Sequence, residues 1–216
     1  LLISRPTTDG EYNLILKAKI AGCKVIIDVD DLITDISIFN PAYGSYQQSQ
    51  IDNFYKCLNE ADVVITSTQF LADRLEDYSP VIIPNGVVCE YKFTDKKEDF
   101  IVSWRGSVSH RRDLDQYRDV FKELSKRFKL HFFGWLPDFA GDLSVLYTGY
   151  TDLASFYHIY YNSDIDFSIF PLEDIPFNHA KSNIAFLAAT KAGAAFFTNL
   201  KSIEFQQPGV NFDAPT

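Results

Sequence analysis

Apolar positions recur along this chain in two alternating rhythms, short β-branched runs and stripes at three-to-four spacing, and the alternation predicts its elements. Residues 1–4 read as a strand. Thr8 and Glu11 stand at capping-box spacing before Leu14, Ile15, Ala18 and Ile20, and Gly22 sits where a helix would stop, so residues 9–21 read as helix. Residues 25–29 form a short apolar strand. After a polar loop, Ile51, Phe54, Tyr55 and Leu58 fall at i, i+3, i+4 and i+7 on a second helix. "DVVITST" reads as a strand ending in hydroxyls, with Thr68 placed to cap a short helix carrying Phe70, Leu71 and Leu75. "VIIPNG" is a strand broken by turn chemistry.

The polar stretch "CEYKFTDKKED" separates this series from a second one. There, strands are expected at 100–104, 130–134, 144–147, 166–172 and 194–198, with helices at 113–128, 153–162 and 179–192. The 113–128 helix has the clearest stripe, Leu114, Tyr117, Val120, Phe121, Leu124 and Phe128, with Asp113 as its cap. Strands alternating with helices imply parallel sheets covered on both faces. The expected fold class is α/β, two Rossmann-like parallel-sheet domains, the first incomplete. The domains would be residues 1–86 and 99–216, joined by a linker at 87–98. The opening strand starts in mid-fold and residues 209–216 trail off before another helix could pack, so the chain reads as cut at both ends.

Composition narrows the function classes. The chain has 216 residues, 46% of them hydrophobic, enough to bury one large core or two small ones. Twenty basic residues stand against twenty-nine acidic ones, and a net charge of −9 argues against a general nucleic-acid binder. Any phosphate site must be a local basic pocket. Cys23, Cys57 and Cys89 lack the paired spacing of a zinc site and their odd number fits poorly with a disulfide framework, so a cytoplasmic setting is expected. No apolar run approaches the roughly 20 residues that span a bilayer, and the first residues lack the features of a signal peptide.

In open parallel sheets, ligands sit at the carboxyl ends of strands, which selects residues 28–31, 66–68, 105–113 and 171–183. In "WRGSVSHRRDL", Gly106 permits close backbone approach, Ser107 and Ser109 offer hydroxyls, and Arg105 brings positive charge beside an expected helix start, a combination suited to phosphate. Arg111 and Arg112 also read as solvated helix-start residues, and His110 as a turn residue. In "PFNHAKSNIAFL", Lys181, Ser182 and Asn183 fall where a helix is expected to begin; Lys181 there is electrostatically unfavourable unless an anion joins it. Asn178 or Ser182 serves equally as an N-cap or a ligand contact. His131 reads as structural, His158 as part of a helix surface, and His179 as able to reach a site. Trp135 and Tyr150 follow strand ends and suit stacking on a base, although aromatics make up 15% of the chain and core packing accounts for them as well.

The order "DVDDL", "ADVVITST", "VIIPNGV", "WRGSVSHRRDL" and "DIDFSIFPLED" followed by "PFNHAKSNIAFL" resembles the GT-B-fold glycosyltransferases of the broad group-one type, in particular the cell-wall, O-antigen or phage-encoded branch. The resemblance covers nearly the whole chain. It implies a nucleoside-diphosphate sugar as co-substrate, no metal and no other cofactor, and a glycan or lipid-linked acceptor with possible peripheral membrane association. It also implies transfer with retention at the anomeric carbon. Arg105 and Lys181 would stabilise the departing diphosphate in one shared hollow. Gly106, Ser107, His110, Asn178, Ser182 and Asn183 would bind the donor, and Asp30 and Asp31 would serve the acceptor side. One departure stands out. Aligning through Lys181, Ser182 and Asn183 places Ala180 and Ala188 where the larger family carries two glutamates, the second touching the donor ribose. A binding module without catalysis is therefore the alternative. For the acids of "KVIIDVDDL", Asp28, Asp30 and Asp31, two other readings stay open: a metal pair bridging a diphosphate, and the nucleophile motif of haloacid-dehalogenase-like phosphatases.

Overall fold

The computed structural model describes residues 1–88, 99–206 and the backbone of Val210 and Asn211. Most of the expected linker and the chain end lie outside the described residues. The chain divides into two compact units, Leu1–Asn85 with Asp174–Ser182, and Gly86–Glu173 with Asn183–Thr216.

In the first unit, β1 (Leu2–Ser4) leads into α1 (Asp9–Ile20), then β2 (Ile26–Val29), α2 (Gln48–Glu60), β3 (Val63–Thr66), α3 (Gln69–Arg74) and β4 (Val81–Ile82). The four strands pair in chain order and all run parallel, with Ile3 opposite Ile27, Ile27 opposite Val64 and Ile65 opposite Val81. The expected capping box is present: Thr8 Oγ1 accepts from the Glu11 amide while Glu11 accepts from the Thr8 amide. Gly22 takes the left-handed conformation, φ 76°, that ends α1. Thr68 caps α3. Ile15, Val25, Ile27, Phe54, Leu58 and Val64 form the core between α1, α2 and the sheet. On α2 the inward face holds Phe54, Cys57 and Leu58, whereas Tyr55 is exposed.

The second unit runs β5 (Ile101–Gly106), α4 (Arg111–Asp115), α5 (Arg118–Ser125), β6 (Lys129–Gly134), β7 (Val145–Thr148), α6 (Leu153–Tyr161) and β8 (Phe167–Ile169). The chain then adds α7 (Pro176–His179) to the first unit and returns for α8 (Ile184–Lys191), β9 (Ala195–Phe197) and β10 (Val210–Asn211). The strand order is β10-β9-β8-β5-β6-β7, all parallel. The order reverses at β5, which is where an open parallel sheet leaves a crevice. Alternation along β5 and β6 sends Val102, Trp104 and Phe132 to one face, against Leu114 and Phe121. Phe133 goes to the other face, against Tyr160, Ala188 and Phe196. Both faces of the sheet are thus covered, as a doubly wound parallel sheet requires.

Two expected helices are broken. The 113–128 stripe is carried by α4 and α5, whose stripe residues Leu114 and Phe121 remain buried while Val120 is exposed. Asp113 is not a cap: it is buried inside α4, where Oδ2 lies 2.7 Å from His110 Nδ1 and Oδ1 accepts from the Glu173 amide at 2.6 Å. The 179–192 helix is divided by the return of the chain from the first unit, so α7 and α8 flank residues 180–183. Asp174–Ser182, read from the sequence as part of the second domain, packs with the first unit: Ala180 is buried with Leu32 and Leu71, and its carbonyl accepts from Thr68 Oγ1 at 3.1 Å.

Candidate functional site

The carboxyl ends of β5 and β6 meet over a pair of glycines. A Cβ on Gly134 would stand 2.4 Å from the Gly106 carbonyl oxygen, and its φ of 91° is left-handed, so only glycine fits there. A Cβ on Gly106 would stand 2.6 Å from the Trp104 ring. These bare backbones floor a hollow of about 280 Å³. Arg105, Gly106 and Ser107 line it from the end of β5, and Phe133 and Gly134 from the end of β6. Tyr150, Thr151, Leu153 and Phe156 close it from the loop after β7 and from α6.

Arg105 lies on the sheet face that α6 covers. Its guanidinium carbon sits 6.0 Å from the centre of the Phe156 ring and 5.9 Å from that of Tyr160, and its Nε is buried with no hydrogen-bond partner. Among the described residues it forms no ion pair, although carboxylates outnumber cations in the chain. By contrast, Arg111 pairs with Asp138 at 3.0 Å and Arg112 with Glu173 at 2.7 Å, as solvated surface residues do.

The turn after Gly106 differs from the expected open helix start. Its first amides are already taken: Val108 N–H donates to Tyr150 Oη at 3.2 Å, Ser109 N–H to Ser107 Oγ at 3.4 Å, and His110 N–H to the Ser107 carbonyl at 3.0 Å. His110 is held by Asp113 and lies between the rings of Trp104 and Phe170. In the same unit, Asn183 occupies the N-cap position of α8 without a side-chain capping bond. Ala188 is 1% exposed in the core.

The remaining expected residues belong to the first unit. Lys181 Nζ stands 4.6 Å from the centre of the Phe177 ring, Asn178 is buried within α7, and Ser182 Oγ accepts from Asn85 Nδ2 at 2.6 Å. Neither Asn178 nor Ser182 is an N-cap. Arg105 and Lys181 are therefore carried by different units, and no single unit holds both. Asp30 and Asp31 gather on Arg5, whose Nε and Nη1 each lie 2.8 Å from one carboxylate. Arg5 also takes a left-handed φ of 44° and donates its amide to the Asp28 carbonyl. Burial pushes the Asp30 carboxyl up and the Asp31 charge adds to this, against the opposing pull of Arg5. Among the described residues no three His, Cys, Asp or Glu side chains gather as for a metal ion.

Sequence reasoning passed over Arg5, Gly134, Phe133, Thr151, Leu153 and Phe156. Gly134 alone carried a local signal, a glycine at the end of an apolar strand. The others are assembled by strand register and by the docking of α6.

No family model matches the chain and no curated protein matches its sequence. Solved structures do. A lipopolysaccharide outer core galactosyltransferase, WaaB in its apo form, matches 87% of this chain with a TM-score of 0.50 at 12% identity. The glycosylation-associated Gap123 complex from Streptococcus agalactiae matches 97% with a TM-score of 0.49 at 11% identity. Acinetobacter baumannii MurG matches 85% with a TM-score of 0.34 at 14% identity. The chain spans 59%, 44% and 56% of those proteins' own lengths. At 12% identity the likeness to the galactosyltransferase is one of fold: the parallel α/β units resemble the Rossmann-like domains of GT-B glycosyltransferases. No helix among the described residues is long and apolar enough to cross a membrane.

Proposed function

We propose that this chain carries the donor-binding part of a glycosyltransferase that moves a sugar from a nucleoside-diphosphate sugar to a glycan or lipid-linked acceptor, with retention. The observation that carries the reading is Arg105. A guanidinium with no carboxylate partner among the described residues, in an acidic chain, faces a hollow floored by two glycines at the switch point of a parallel sheet. Planar, multiply donating and always charged, a guanidinium matches a diphosphate oxygen pair. The aromatic walls, Tyr150 and Phe156, suit a base or a ribose. In this reading Arg105 stabilises the negative charge that builds on the leaving diphosphate, a role that requires positioning and no covalent nucleophile.

The fold likeness to a galactosyltransferase supports the reaction class by analogy alone. A second reading, sugar-nucleotide binding without turnover, is favoured by Ala188: buried at 1% in the core, it offers no acceptor for ribose hydroxyls from α8.

Calorimetric titration of the whole protein with UDP and GDP tests the site. One of the two should bind, and Arg105→Ala should weaken that binding by about tenfold to a hundredfold, the loss of one charge-assisted hydrogen-bonding group. Equal binding by both proteins, or none by either, overturns the reading. Donor hydrolysis then separates enzyme from module: binding without turnover supports the second reading.

A further inference from the structure

Tyr150 lines the hollow and its hydroxyl accepts from Val108 N–H, and this contact assigns Tyr150 a role. We propose that Tyr150 is a specificity-determining residue whose hydroxyl holds the Val108 amide and yields it in preference to a charged ligand oxygen. The inference rests on the donor-site reading above and names how that site selects for phosphate.

Three observations carry it. Tyr150 is 65% exposed, so core packing does not fix its ring; a 3.2 Å bond to Val108 N–H does. The ring also lies beside the bare backbone of Gly134, where a Cβ would be in ordinary contact, 3.5 Å, with Tyr150 Cε1. Finally, the neighbouring amides of the turn are satisfied by groups of the turn itself, Ser107 Oγ and the Ser107 carbonyl. Val108 is the amide whose partner comes from another part of the chain and is free to leave without unwinding the turn.

A neutral hydroxyl accepting from an exposed amide is a weak competitor. A phosphate oxygen makes a bond roughly twice as strong with the same donor, and Arg105, which lines the same hollow from the end of β5, adds charge for it. A neutral acceptor only exchanges one such bond for another, so it gains nothing by displacing the Tyr150 hydroxyl. The phenol is thus a placeholder: it keeps an amide satisfied and imposes a small cost that an anion more than repays.

Removing the hydroxyl while keeping the ring should therefore raise affinity for anions. In the whole protein, Tyr150→Phe should bind UDP or GDP, whichever the wild type takes, about three- to tenfold more tightly. Inorganic pyrophosphate should gain by the same factor, because the competition is at the phosphate. Exchange of the Val108 amide with solvent should quicken in the ligand-free Tyr150→Phe protein. An unchanged or weakened affinity in Tyr150→Phe, or a gain confined to the nucleotide, overturns the inference while leaving the donor site standing. If neither protein binds any nucleotide or pyrophosphate, the donor-site reading fails and the inference fails with it.

Discussion

At the scale of single residues, the chain keeps apart side chains that are satisfied by their neighbours and those that are not. Arg5 is satisfied twice over by Asp30 and Asp31, whereas Arg105 faces open space over aromatic rings. Spacing in the sequence placed Arg105 after a strand and before a glycine, which is a local pattern, so its position was legible. The pairing of Arg5 with acids 25 and 26 positions on was not, because it follows from the register of β1 against β2. His131 gives a residue-scale prediction. It stacks on Phe133 at 3.9 Å, Nε2 lies 2.9 Å from Thr148 Oγ1, and Nδ1 is buried without a partner. Burial lowers its pKa to about 4 from 6.5. The unfolded chain therefore takes up a proton between those values that the folded protein resists, and stability must fall as pH drops through that window. Unfolding of the second unit at pH 7, 5.5 and 4.5 should show this loss in the wild type. His131→Phe should be less steep by up to one proton per molecule, at most about 1.4 kcal/mol per pH unit. Parallel slopes would mean that His131 titrates normally.

At the scale of elements, hydrophobic spacing located nearly every strand and helix but misjudged continuity. Leu114, Tyr117, Phe121, Leu124 and Phe128 keep one facing across α4 and α5, so the stripe is indifferent to the tightened turn in which Tyr117 N–H bonds the Leu114 carbonyl. In the same way the sequence predicts one helix from residue 179 to 192, yet residues 180–183 lie between α7 and α8, where Ala180 packs with Leu32 and Leu71. In the second case a tertiary contact decided against local propensity. The Thr8 and Glu11 box starts α1 as its spacing demands. Burial pushes the Glu11 carboxyl up, but bonds from the Thr7 and Thr8 amides and the Thr8 hydroxyl outweigh it and hold the pKa below the usual value. Thr8→Ala should then cost about 1 kcal/mol of first-unit stability at neutral pH in denaturant unfolding. The part that comes through Glu11 is present above the ordinary carboxylate range and is lost as pH falls through the lowered folded value. Thr8→Ser, which keeps the hydroxyl, should recover most of the loss.

At the scale of the whole molecule, the chain enters its second unit at Gly86, leaves it after Glu173 and returns at Asn183. The two sheets were legible as a change from one β-α series to another; the excursion of residues 174–182 was not, because no local composition marks it. That excursion gives the first unit a segment from within the second unit's stretch of sequence, and it can be tested because the two tryptophans, Trp104 and Trp135, both lie in the second unit. Their fluorescence reports that unit alone, while far-ultraviolet circular dichroism reports helices of both. Ala180 is 1% exposed against Leu32 and Leu71, so Ala180→Asp forces a carboxyl into apolar contacts that offer it no donor. Crowding and unsatisfied burial together should cost about 2–5 kcal/mol. Because Ala180 is packed in the first unit although it lies far along the chain, the loss should fall there. The dichroism transition should gain an early step while the tryptophan midpoint stays where it is in the wild type. Non-coincident probes are the signature of units that unfold separately. If tryptophan fluorescence and dichroism instead move down together, Ala180 is supporting the second unit, and the division of the chain at residues 174–182 is wrong.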